Sequence, residues 1–305
     1  MVEPTTKPKE RFKKIKNYYY SIDAAPLGRG SFGEVYKGFK IVDKKREYYA
    51  IKVISKAMLD GRDYMLQQEI DILKKIRGEY ILKFIDEVET EDHAYIVTEL
   101  CEDGDLKKKL ETDKKLPETE ALFILRQVAE AFIEVDKLQL TKKDSGEKLV
   151  LMHRDIKPAN ILFKNSRVCL ADFGLSKFVS EITNAPNTKL VGSQYYKSPQ
   201  VLKADGLYGP KCDVWSMGVV LYQMLHGEVP YTGQTEYVTF KQIEEKKLKF
   251  SPELKESTID LLEKMLKVDE TARISWKELI EHPALAGISL LKTSKVETEE
   301  DSKII

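Results

Sequence analysis

The sequence contains little cysteine, carries no net charge and has no apolar run long enough to cross a bilayer. Its three cysteines, Cys101, Cys169 and Cys212, lie far apart and form no Cys-x-x-Cys pair, which argues against a zinc site or a disulfide framework and favours a reducing compartment. Fifty basic and fifty acidic residues cancel, so the composition does not favour a nucleic-acid partner. The longest apolar stretch, VWSMGVVLYQML, predicts a buried helix and no membrane span.

The chain also shows no internal repeat, no low-complexity tract and no signal peptide at its basic, proline-containing start. Together with the cysteine pattern, this predicts a cytoplasmic protein, with the nucleus as an alternative location. Apolar material is plentiful, because 42% of the residues are hydrophobic and 9% are aromatic, which is enough for a sizeable core. A length of 305 residues fits two domains or one large domain of two lobes.

The residue pattern changes once along the chain. Residues 1–17 are basic and polar and predict a flexible arm. Residues 18–101 are rich in β-branched and aromatic residues, with one helix at RDYMLQQEIDILKKI. Residues 102–286 are mostly helical, and residues 287–305 predict a flexible tail. We therefore expect an α+β fold with a small β-rich lobe, a larger helical lobe and a ligand cleft between them.

A glycine-rich stretch, LGRGSFGEVYKG, lies near the start of the β-rich part. Gly28, Gly30 and Gly33 have a Gly-x-Gly-x-x-Gly spacing that dinucleotide-binding folds also use. A dinucleotide site requires a helix after the glycines, whereas EVYKGFKIV continues here as a strand. The stretch therefore predicts a hairpin whose backbone amides approach phosphates, with Val35 packing on a flat base.

A strand lysine and a helix glutamate form the next candidate pair. Lys52 stands among apolar neighbours in YAIKV, where a buried charge needs a partner. Glu69 on the predicted helix can be that partner. The pair predicts a contact of Lys52 with the α- and β-phosphates of ATP, whereas Lys52 alone would be an ordinary exposed lysine.

Two polar loops complete the predicted site. HRDIKPAN contains Asp155, Lys157 and Asn160 between apolar runs, and LADFGLSKF contains Asp172. Asn160 and Asp172 offer the hard oxygen ligands that Mg²⁺ prefers. Asp155 is predicted to orient a hydroxyl and accept its proton, and Lys157 to offset charge on the transferring phosphoryl group. The combination indicates a phosphotransfer site for ATP and magnesium.

The order of these motifs resembles the catalytic domain of the eukaryotic protein kinases over residues 18–286. The resemblance implies a two-lobed kinase fold and an enzyme that transfers the γ-phosphoryl group of ATP, with Mg²⁺, to protein serine or threonine hydroxyls. The catalytic residues implied are Asp155, Lys157, Lys52 and Glu69. The metal ligands implied are Asn160 and Asp172. The nucleotide-binding residues implied are Leu27, Gly28, Gly30, Gly33, Val35, Ala50, Lys52, Thr98, Glu99, Cys101, Asp105 and Leu162.

The same resemblance implies supporting roles and partners. Asp213 would anchor the backbone of the catalytic loop, and His153 and Phe173 would pack in the core. GSQYYKSPQVL resembles the Unc-51-like kinases, and other stretches resemble calcium/calmodulin-regulated kinases. Expected partners are protein substrates, with no nucleic acid and no membrane span, and the catalytic domain is expected to be monomeric.

Three stretches depart from the family pattern. Gln200 replaces a glutamate that would pair with the arginine matched by Arg273, which predicts reduced rigidity but not lost activity. In the activation segment, Thr188 is the candidate phosphorylation site, with Arg154 available to bind the phosphate. Residues 141–149 form an apparent insertion, whose polarity predicts a surface loop.

Two alternatives to an active protein kinase stay open at this point. A pseudokinase would bind nucleotide as a scaffold, and such scaffolds commonly lose one of the catalytic residues that are all present here. A small-molecule kinase of related fold would lack GSQYYKSPQ, which shapes a peptide groove.

The predicted peptide groove contains few acids. Three positions that are acidic in kinases selecting arginine are occupied here by Asp105, Ala159 and Gln223. We therefore expect weak selection for basic residues, and a hydrophobic preference next to the phosphorylated residue, set by Leu190 and Tyr195.

Overall fold

The computed structural model describes residues 10–30, 33–59, 61, 63–142, 144–180, 194–203 and 208–290. In this part of the chain the strands are β1 (Phe12–Ile15), β2 (Tyr18–Ser21), β3 (Gly28–Gly30), β4 (Gly33–Val42), β5 (Lys45–Ser55), β6 (Phe84–Glu89), β7 (His93–Glu99), β8 (Leu149–Met152), β9 (Ile161–Lys164), β10 (Arg167–Leu170) and β11 (Lys177–Ser180). The helices are α1 (Lys56–Leu59), α2 (Asp63–Lys75), α3 (Leu106–Asp113), α4 (Glu118–Asp136), α5 (Pro199–Leu202), α6 (Lys211–His226), α7 (Glu236–Glu245), α8 (Glu256–Met265) and α9 (Trp276–Ile280).

The small lobe is built on one antiparallel sheet, ordered β1-β2-β4-β5-β7-β6, with β3 paired to β4. Its strands are rich in β-branched and aromatic residues, which suit a pleated, half-buried surface. One face carries the apolar cluster Ile15, Tyr18, Tyr20, Ile51, Tyr95 and Val97. The opposite face carries Lys52, whose position in β5 lies across from Val35 in β4. The sheet thus separates a packed apolar face from the face that holds the predicted nucleotide site.

The sheet begins earlier than the sequence pattern predicted. Residues 1–17 were expected to form a flexible arm, but Phe12–Ile15 pairs with Tyr18–Ser21 in register, and Ile15 is buried. Arg11 adds hydrogen bonds to Asp23, at 2.8 Å through its backbone N–H. The prediction is therefore wrong from residue 12 onward. The lysines of this short edge strand made it look like a solvated arm, although lysine is common on edge strands that must not pair further.

The large lobe is helical and contains most of the core. The buried side chains of α4 and α6 lie in one large apolar cluster with those of α8 and α9. The central α6 is almost entirely buried, which explains its continuous apolar sequence. α9 begins with a capping box, because Ser275 and Glu278 exchange side-chain to backbone hydrogen bonds. The two-lobed α+β fold predicted from the sequence is confirmed.

Three segments outside the main strands and helices are described by the structure: the connection between the lobes, the insertion and the chain end. Residues 99–105, called the hinge below, lead from β7 into α3. Within the predicted insertion, Thr141 bridges Lys148, and Leu149 already belongs to β8. In the predicted tail, Ile288 and Leu290 still pack on the large core, so the tail prediction is wrong for these residues. No helix of the described residues is long and apolar enough to span a membrane.

Candidate active site

The described residues of the glycine-rich stretch form two paired antiparallel strands, β3 and β4, as the predicted hairpin requires. Gly28 lies opposite Val35 and Gly30 opposite Gly33 in the β3–β4 pair. Among Gly28, Gly30 and Gly33, Gly33 is the one required by the protein's own packing, because a Cβ there would collide with the carbonyl oxygen of Val53. A Cβ on Gly28 would meet nothing within 4 Å. The open space at Gly28 and the exposed backbone of β3 leave room for a ligand to approach the hairpin closely.

The lysine and the glutamate predicted as partners form an ion pair. Lys52 Nζ lies 2.6 Å from Glu69 Oε1, and the Glu69 side chain is 8% exposed. Burial alone would lower the pKa of Lys52, but the facing carboxylates of Glu69 and Asp172 outweigh it and raise the pKa. Burial raises the pKa of Glu69, and Lys52 opposes that shift. The contact distance and the raised lysine pKa indicate a charged pair that joins β5 to α2.

The catalytic-loop residues converge on one carboxylate. Lys157 Nζ lies 2.6 Å from Asp155 Oδ2, and Asn160 Nδ2 donates to the same oxygen at 3.1 Å. Asn160 also donates to the backbone oxygen of Asp155 at 2.8 Å. A single helical turn at Pro158–Asn160 folds the loop back on itself. Asp155 is therefore held in one orientation by two neighbours from its own loop.

Asp213 anchors the backbone of this loop. Its two carboxylate oxygens accept the backbone N–H groups of His153 and Arg154, at 2.7 and 2.8 Å. Arg154 has φ of 66°, a left-handed conformation that is costly for a non-glycine residue. The ring of His153 lies 4.9 Å from that of Phe173 and is fully buried. His153 thus packs as a structural residue, and Asp213 offsets the backbone strain beside it.

Asp172 faces the cleft from the other side. It also has a left-handed backbone, with φ of 63°, and Lys52 Nζ lies 3.5 Å from its Oδ1. Its side chain is 44% exposed. Burial alone would raise the pKa of Asp172, but the charges of Lys52, His153 and Lys157 outweigh it and lower the pKa. An ionised, accessible carboxylate thus stands near the ion pair, as a metal ligand requires.

The predicted walls of the nucleotide site come from both lobes. Leu27 donates its backbone N–H to Val35 at 2.7 Å, which places it at the hairpin. Ala50 lies opposite Thr98 in the β5–β7 pair. Leu162 in β9 bridges the hinge. The structure therefore places these residues on the hairpin, the central strands and the floor below the hinge.

Two hinge carboxylates are engaged by the protein itself. The Glu99 side chain contacts Lys164 and Arg167, each at 2.9 Å. Asp105 caps α3 by accepting the backbone N–H of Lys108 at 2.9 Å. A nucleotide contact at Glu99 is thus left to its backbone, and one oxygen of the Asp105 carboxylate is already engaged in capping. The partners of Glu99 follow no spacing rule, so no local pattern predicts them.

Gln200 stands where the kinase pattern has a glutamate, and it contacts Arg273 through a neutral amide oxygen. Arg273 is 1% exposed, and its guanidinium donates to Gln200 Oε1 at 2.9 Å and to backbone oxygens of Lys267 and Lys211. Burial lowers the pKa of Arg273 to about 10. Arg273 therefore has no carboxylate at position 200, and the ion pair of the kinase pattern is absent there, as the sequence predicted.

The residues predicted for phosphorylation and for the peptide groove are only partly described by the structure. Thr188 and Leu190 lie outside the described residues, so the phosphorylation site and part of the peptide groove stay predictions. Tyr195 is 44% exposed, and Gln223 accepts a hydrogen bond from Tyr196 at 2.8 Å. Within the part of the chain that the structure describes, no three His, Cys, Asp or Glu side chains form a metal-binding group.

Comparison with known proteins agrees with this geometry. A family model for the protein kinase domain matches residues 22–285. Calcium-dependent protein kinase 3 of Plasmodium berghei is 32% identical over 87% of this chain and 46% of its own length. Serine/threonine-protein kinase atg1 of Dictyostelium discoideum is 32% identical over 84% of this chain and 38% of its own. Myosin light chain kinase A of the same organism is 35% identical over 85% of each chain. The chain thus spans less than half the length of the first two relatives.

Proposed function

The chain belongs to the protein kinase domain family, and we propose that it transfers the γ-phosphoryl group of ATP to serine or threonine hydroxyls of proteins. The observation that carries this proposal is the 2.6 Å pair of Lys52 and Glu69, with Asp172 at 3.5 Å from the same lysine. A half-buried lysine between two carboxylates, next to a glycine hairpin, suits phosphates that bring further negative charge. Residues of both lobes meet there, as an active phosphotransfer site needs.

The described residues fit the nucleotide and its metal. The hairpin has open space at Gly28, where backbone can approach phosphates. Asp172 and Asn160 would supply oxygen ligands to Mg²⁺, which takes one or two protein oxygens together with phosphates and waters. When bound, the ion would offset negative charge on the phosphates.

The catalytic loop supplies a positioned carboxylate. Lys157 and Asn160 fix Asp155 Oδ2, so the carboxylate can orient an incoming hydroxyl and take its proton without first reorganising. Lys157 is also placed to offset charge on the transferring group. The family resemblance assigns Lys157 to the serine/threonine pattern, and Leu175, directly after Asp-Phe-Gly, favours serine. The product we propose is phosphoserine, with phosphothreonine second.

The decisive experiment is a phosphotransfer assay on a peptide library with Mg·ATP, followed by identification of the phosphorylated residue. The purified full chain should give phosphoserine or phosphothreonine. Asp155→Asn should lose the activity and still bind nucleotide, because it removes the proton acceptor and leaves the phosphate-binding residues intact. Mainly phosphotyrosine would overturn the residue class, and near-normal turnover of Asp155→Asn would overturn the catalytic assignment.

The competing hypothesis is a nucleotide-binding scaffold without catalysis. It receives no support from the comparisons, since the relatives are named as kinases, and Lys52, Glu69, Asp155, Asn160 and Asp172 are all present. A wild-type protein that binds Mg·ATP and phosphorylates no peptide would favour the scaffold.

Partners, location and subgroup belong to the same proposal. The partners are protein substrates, and the domain acts as a monomer in the cytoplasm or nucleus. Its cysteines are free thiols, as a reducing compartment would keep them. Relatives named for both an atg1 kinase and calcium-dependent kinases match the chain, so the Unc-51-like and calcium-regulated groups both stay candidates.

A further inference from the structure

A group of aromatic rings covers one end of the small-lobe sheet. In the β4–β5 pair, Phe39 lies opposite Tyr48, on the same face as Lys52 but at the other end of the strands. The Phe39 ring is the centre of the group. Its centroid lies 5.5 Å from that of Phe12 in β1 and 5.4 Å from that of Tyr19 in β2, and the Tyr48 centroid is 6.4 Å away. These four rings, called the aromatic patch below, have no role in the proposed phosphotransfer.

Three cations lie over the rings of the aromatic patch. The guanidinium of Arg46 is 4.2 Å from the centroid of Phe39, and Lys37 Nζ is 4.5 Å from that of Tyr48. Lys14 Nζ lies 5.6 Å from the ring of its cross-strand neighbour in β2. These distances suit cation–π contacts. Every charged side chain that β1, β2, β4 and β5 place on this face is basic.

The rim of the aromatic patch is exposed, although its centre is buried. Phe39 is 7% exposed, whereas Phe12 is 40% and Tyr48 is 47% exposed. Ile41, the next residue of β4 on the same face, is 56% exposed. Isolated apolar side chains are common on protein surfaces, but adjoining ones mark interaction sites. The rim is therefore a candidate docking surface.

The positive charge of this surface is only partly neutralised. Lys37 Nζ lies 3.2 Å from Glu102 Oε1, and both side chains are exposed. Lys14 and Arg46 take part in no ion pair with the residues that the structure describes. The surface thus suits an anionic occupant that also carries apolar side chains. A peptide fits better than a nucleic acid, because base stacking needs open ring faces and the cations already lie over the rings.

The chain itself contains a segment with this chemistry. Residues 296–301 read VETEED, with four acidic residues and no basic one, and Ile304 and Ile305 follow. The segment comes after Leu290, which packs on the core of the large lobe. An extended chain spans about 3.3 Å per residue, so Asp301 can lie up to about 36 Å from Leu290. That reach exceeds the radius of a domain of this length, about 25 Å.

We propose that residues 296–305 bind the aromatic patch of their own chain. The acidic side chains pair with Lys14, Lys37 and Arg46, and the two isoleucines cover the exposed rim. Arg46 lies about 20 Å along β5 from Lys52, so the bound segment leaves the predicted phosphate contacts open. It would form a second connection between the large lobe and the small-lobe sheet, beside the hinge. The proposal does not rest on the proposed function, because it needs neither ATP nor phosphotransfer.

The test is cross-linking of the full chain with a carbodiimide, which joins amines directly to carboxylates in contact. The monomeric fraction is isolated, and its linked peptides are mapped by mass spectrometry. Lys74 and Glu87, whose Nζ and Oε1 lie 2.6 Å apart, give the internal reference link. We expect the acids of residues 296–301 to link mainly to Lys14 and Lys37. Links spread over lysines of both lobes, links found only in a dimeric fraction, or the reference link alone would each overturn the proposal.

A matched pair of variants tests the attraction itself. Arg46→Ser removes a cation that the carbodiimide cannot link, so the reactive groups stay the same. The yield of segment links, relative to the reference link, should fall at least about threefold, within the range of an exposed ion pair. Arg77→Ser, at another exposed arginine of the small lobe, should keep the wild-type yield. Equal yields in the two variants would overturn the proposal, and the wild-type map decides it even if Arg46→Ser fails to fold.

Nucleic acid is tested on the same wild-type protein. A fluorescent single-stranded oligonucleotide is added in equimolar amount before the carbodiimide. We expect no binding and an unchanged yield of segment links. An oligonucleotide that binds and removes those links would identify nucleic acid as the occupant of the aromatic patch and overturn the proposal.

Discussion

Two glycines of the glycine-rich hairpin differ in how much space the protein leaves for a side chain. Gly28 and Gly33 belong to the same glycine pattern, yet a Cβ is tolerated by the protein at the first and collides with the Val53 carbonyl oxygen at the second. Gly33→Ala should lower the free energy of unfolding by about 1–3 kcal/mol, as overpacking does. Gly28→Ala is the matched control and should unfold as the wild type does, with a change only in nucleotide affinity. Denaturant unfolding with and without ATP separates the two effects.

Asp172 is expected to bind Mg²⁺ and to affect ATP binding only when the metal is present. Its lowered pKa keeps it ionised at neutral pH, ready to bind Mg²⁺. Asp172→Ala should abolish phosphotransfer and remove the increase in ATP affinity that Mg²⁺ gives the wild type. In the presence of a metal chelator, the two proteins should bind ATP within a few fold of each other. Titration calorimetry with and without Mg²⁺ measures this, and a variant whose ATP affinity still rises with Mg²⁺ would contradict the assignment.

The proposed catalytic and metal-binding residues were proposed from the order of their motifs along the sequence. Lys52, Glu69, Asp155 and Asp172 are distant in sequence, but each has a motif around it. The structure joins Lys52 to Glu69 and Asp172, and it joins the two polar loops through the Ala171 N–H to Asn160 oxygen bond at 2.9 Å. Glu99 shows the limit. Its partners Lys164 and Arg167 lie on another lobe, and only the tertiary fold determines that they meet. Pair contacts without a local motif are not readable from one sequence.

At the scale of secondary-structure elements, the basic composition of residues 1–17 predicted a flexible arm, whereas Phe12–Ile15 forms strand β1. Ile15 is 4% exposed and packs with the aromatic cluster of the sheet. Ile15→Ala should lower the free energy of unfolding by about 2 kcal/mol, the lower end for a buried isoleucine. Lys14→Ala, on the same strand and exposed, should change it by less than about 0.5 kcal/mol. Equal effects of the two variants in urea unfolding would show that residues 12–15 do not pack.

The contact between α5 and the segment before α9 offers a gain in stability. Arg273 is buried, with its pKa lowered to about 10 by burial, and Gln200 gives it a neutral oxygen at 2.9 Å while the Gln200 amide N–H donates to the backbone oxygen of Val268. Gln200→Glu should raise the free energy of unfolding by about 1 kcal/mol, because the carboxylate adds a full negative charge beside the guanidinium and this outweighs the lost amide bond to the Val268 oxygen.

Gln200→Ala serves as the control for that prediction. It should lower stability by about 1 kcal/mol, since it removes an acceptor from a buried guanidinium. Thermal unfolding of the two variants beside the wild type gives the order Glu, Gln, Ala. A Glu variant no more stable than the Ala variant would mean that desolvation of the new carboxylate outweighs the pair.

Helices were easier to predict than edges, for a physical reason. The apolar pattern of α6 and the capping box of α9 are both local in sequence, and the buried helix predicted from that pattern is present. β1 has only four residues, and three of them are exposed, so its pattern holds a single buried position. A strand of that length is specified by the neighbour that it pairs with, and single-sequence periodicity contains no information about that neighbour.

At the scale of the whole molecule, one ionic network connects the hinge to the large lobe. Glu99 accepts from Lys164 and Arg167, each at 2.9 Å, and from the backbone N–H of Lys83 at 3.0 Å. Arg167 also donates to the backbone oxygen of Glu79, just before the small-lobe strand β6. The network thus reinforces segments that backbone hydrogen bonds already join, from Leu82 N–H to the Leu170 oxygen at 2.9 Å and from Leu170 N–H to the Tyr80 oxygen at 2.8 Å. It should contribute to the stability of the two-lobed assembly more than an exposed ion pair would.

This network should make stability depend on pH in the acid range. Burial alone would raise the pKa of Glu99, but hydrogen bonds from Lys164 and Lys83 N–H, with the charge of Arg167, outweigh it and lower the pKa. Since the folded pKa lies below the unfolded one, the stabilisation is fully present above the unfolded value, about 4.3. It is lost as pH falls through the folded value.

Glu99→Gln should therefore lower the free energy of unfolding at pH 7, by about 1–3 kcal/mol for a charged hydrogen-bonding group. The difference from wild type should shrink as the pH falls below about 4, because protonated Glu99 resembles the amide. Glu102→Gln is the matched control in the same hinge, since its side chain is 65% exposed and pairs with Lys37 at 3.2 Å. Its effect should stay under about 0.5 kcal/mol at every pH. Denaturant unfolding from pH 3 to 8 decides the matter, and a constant Glu99→Gln deficit across that range would show that packing, and not charge, connects the lobes.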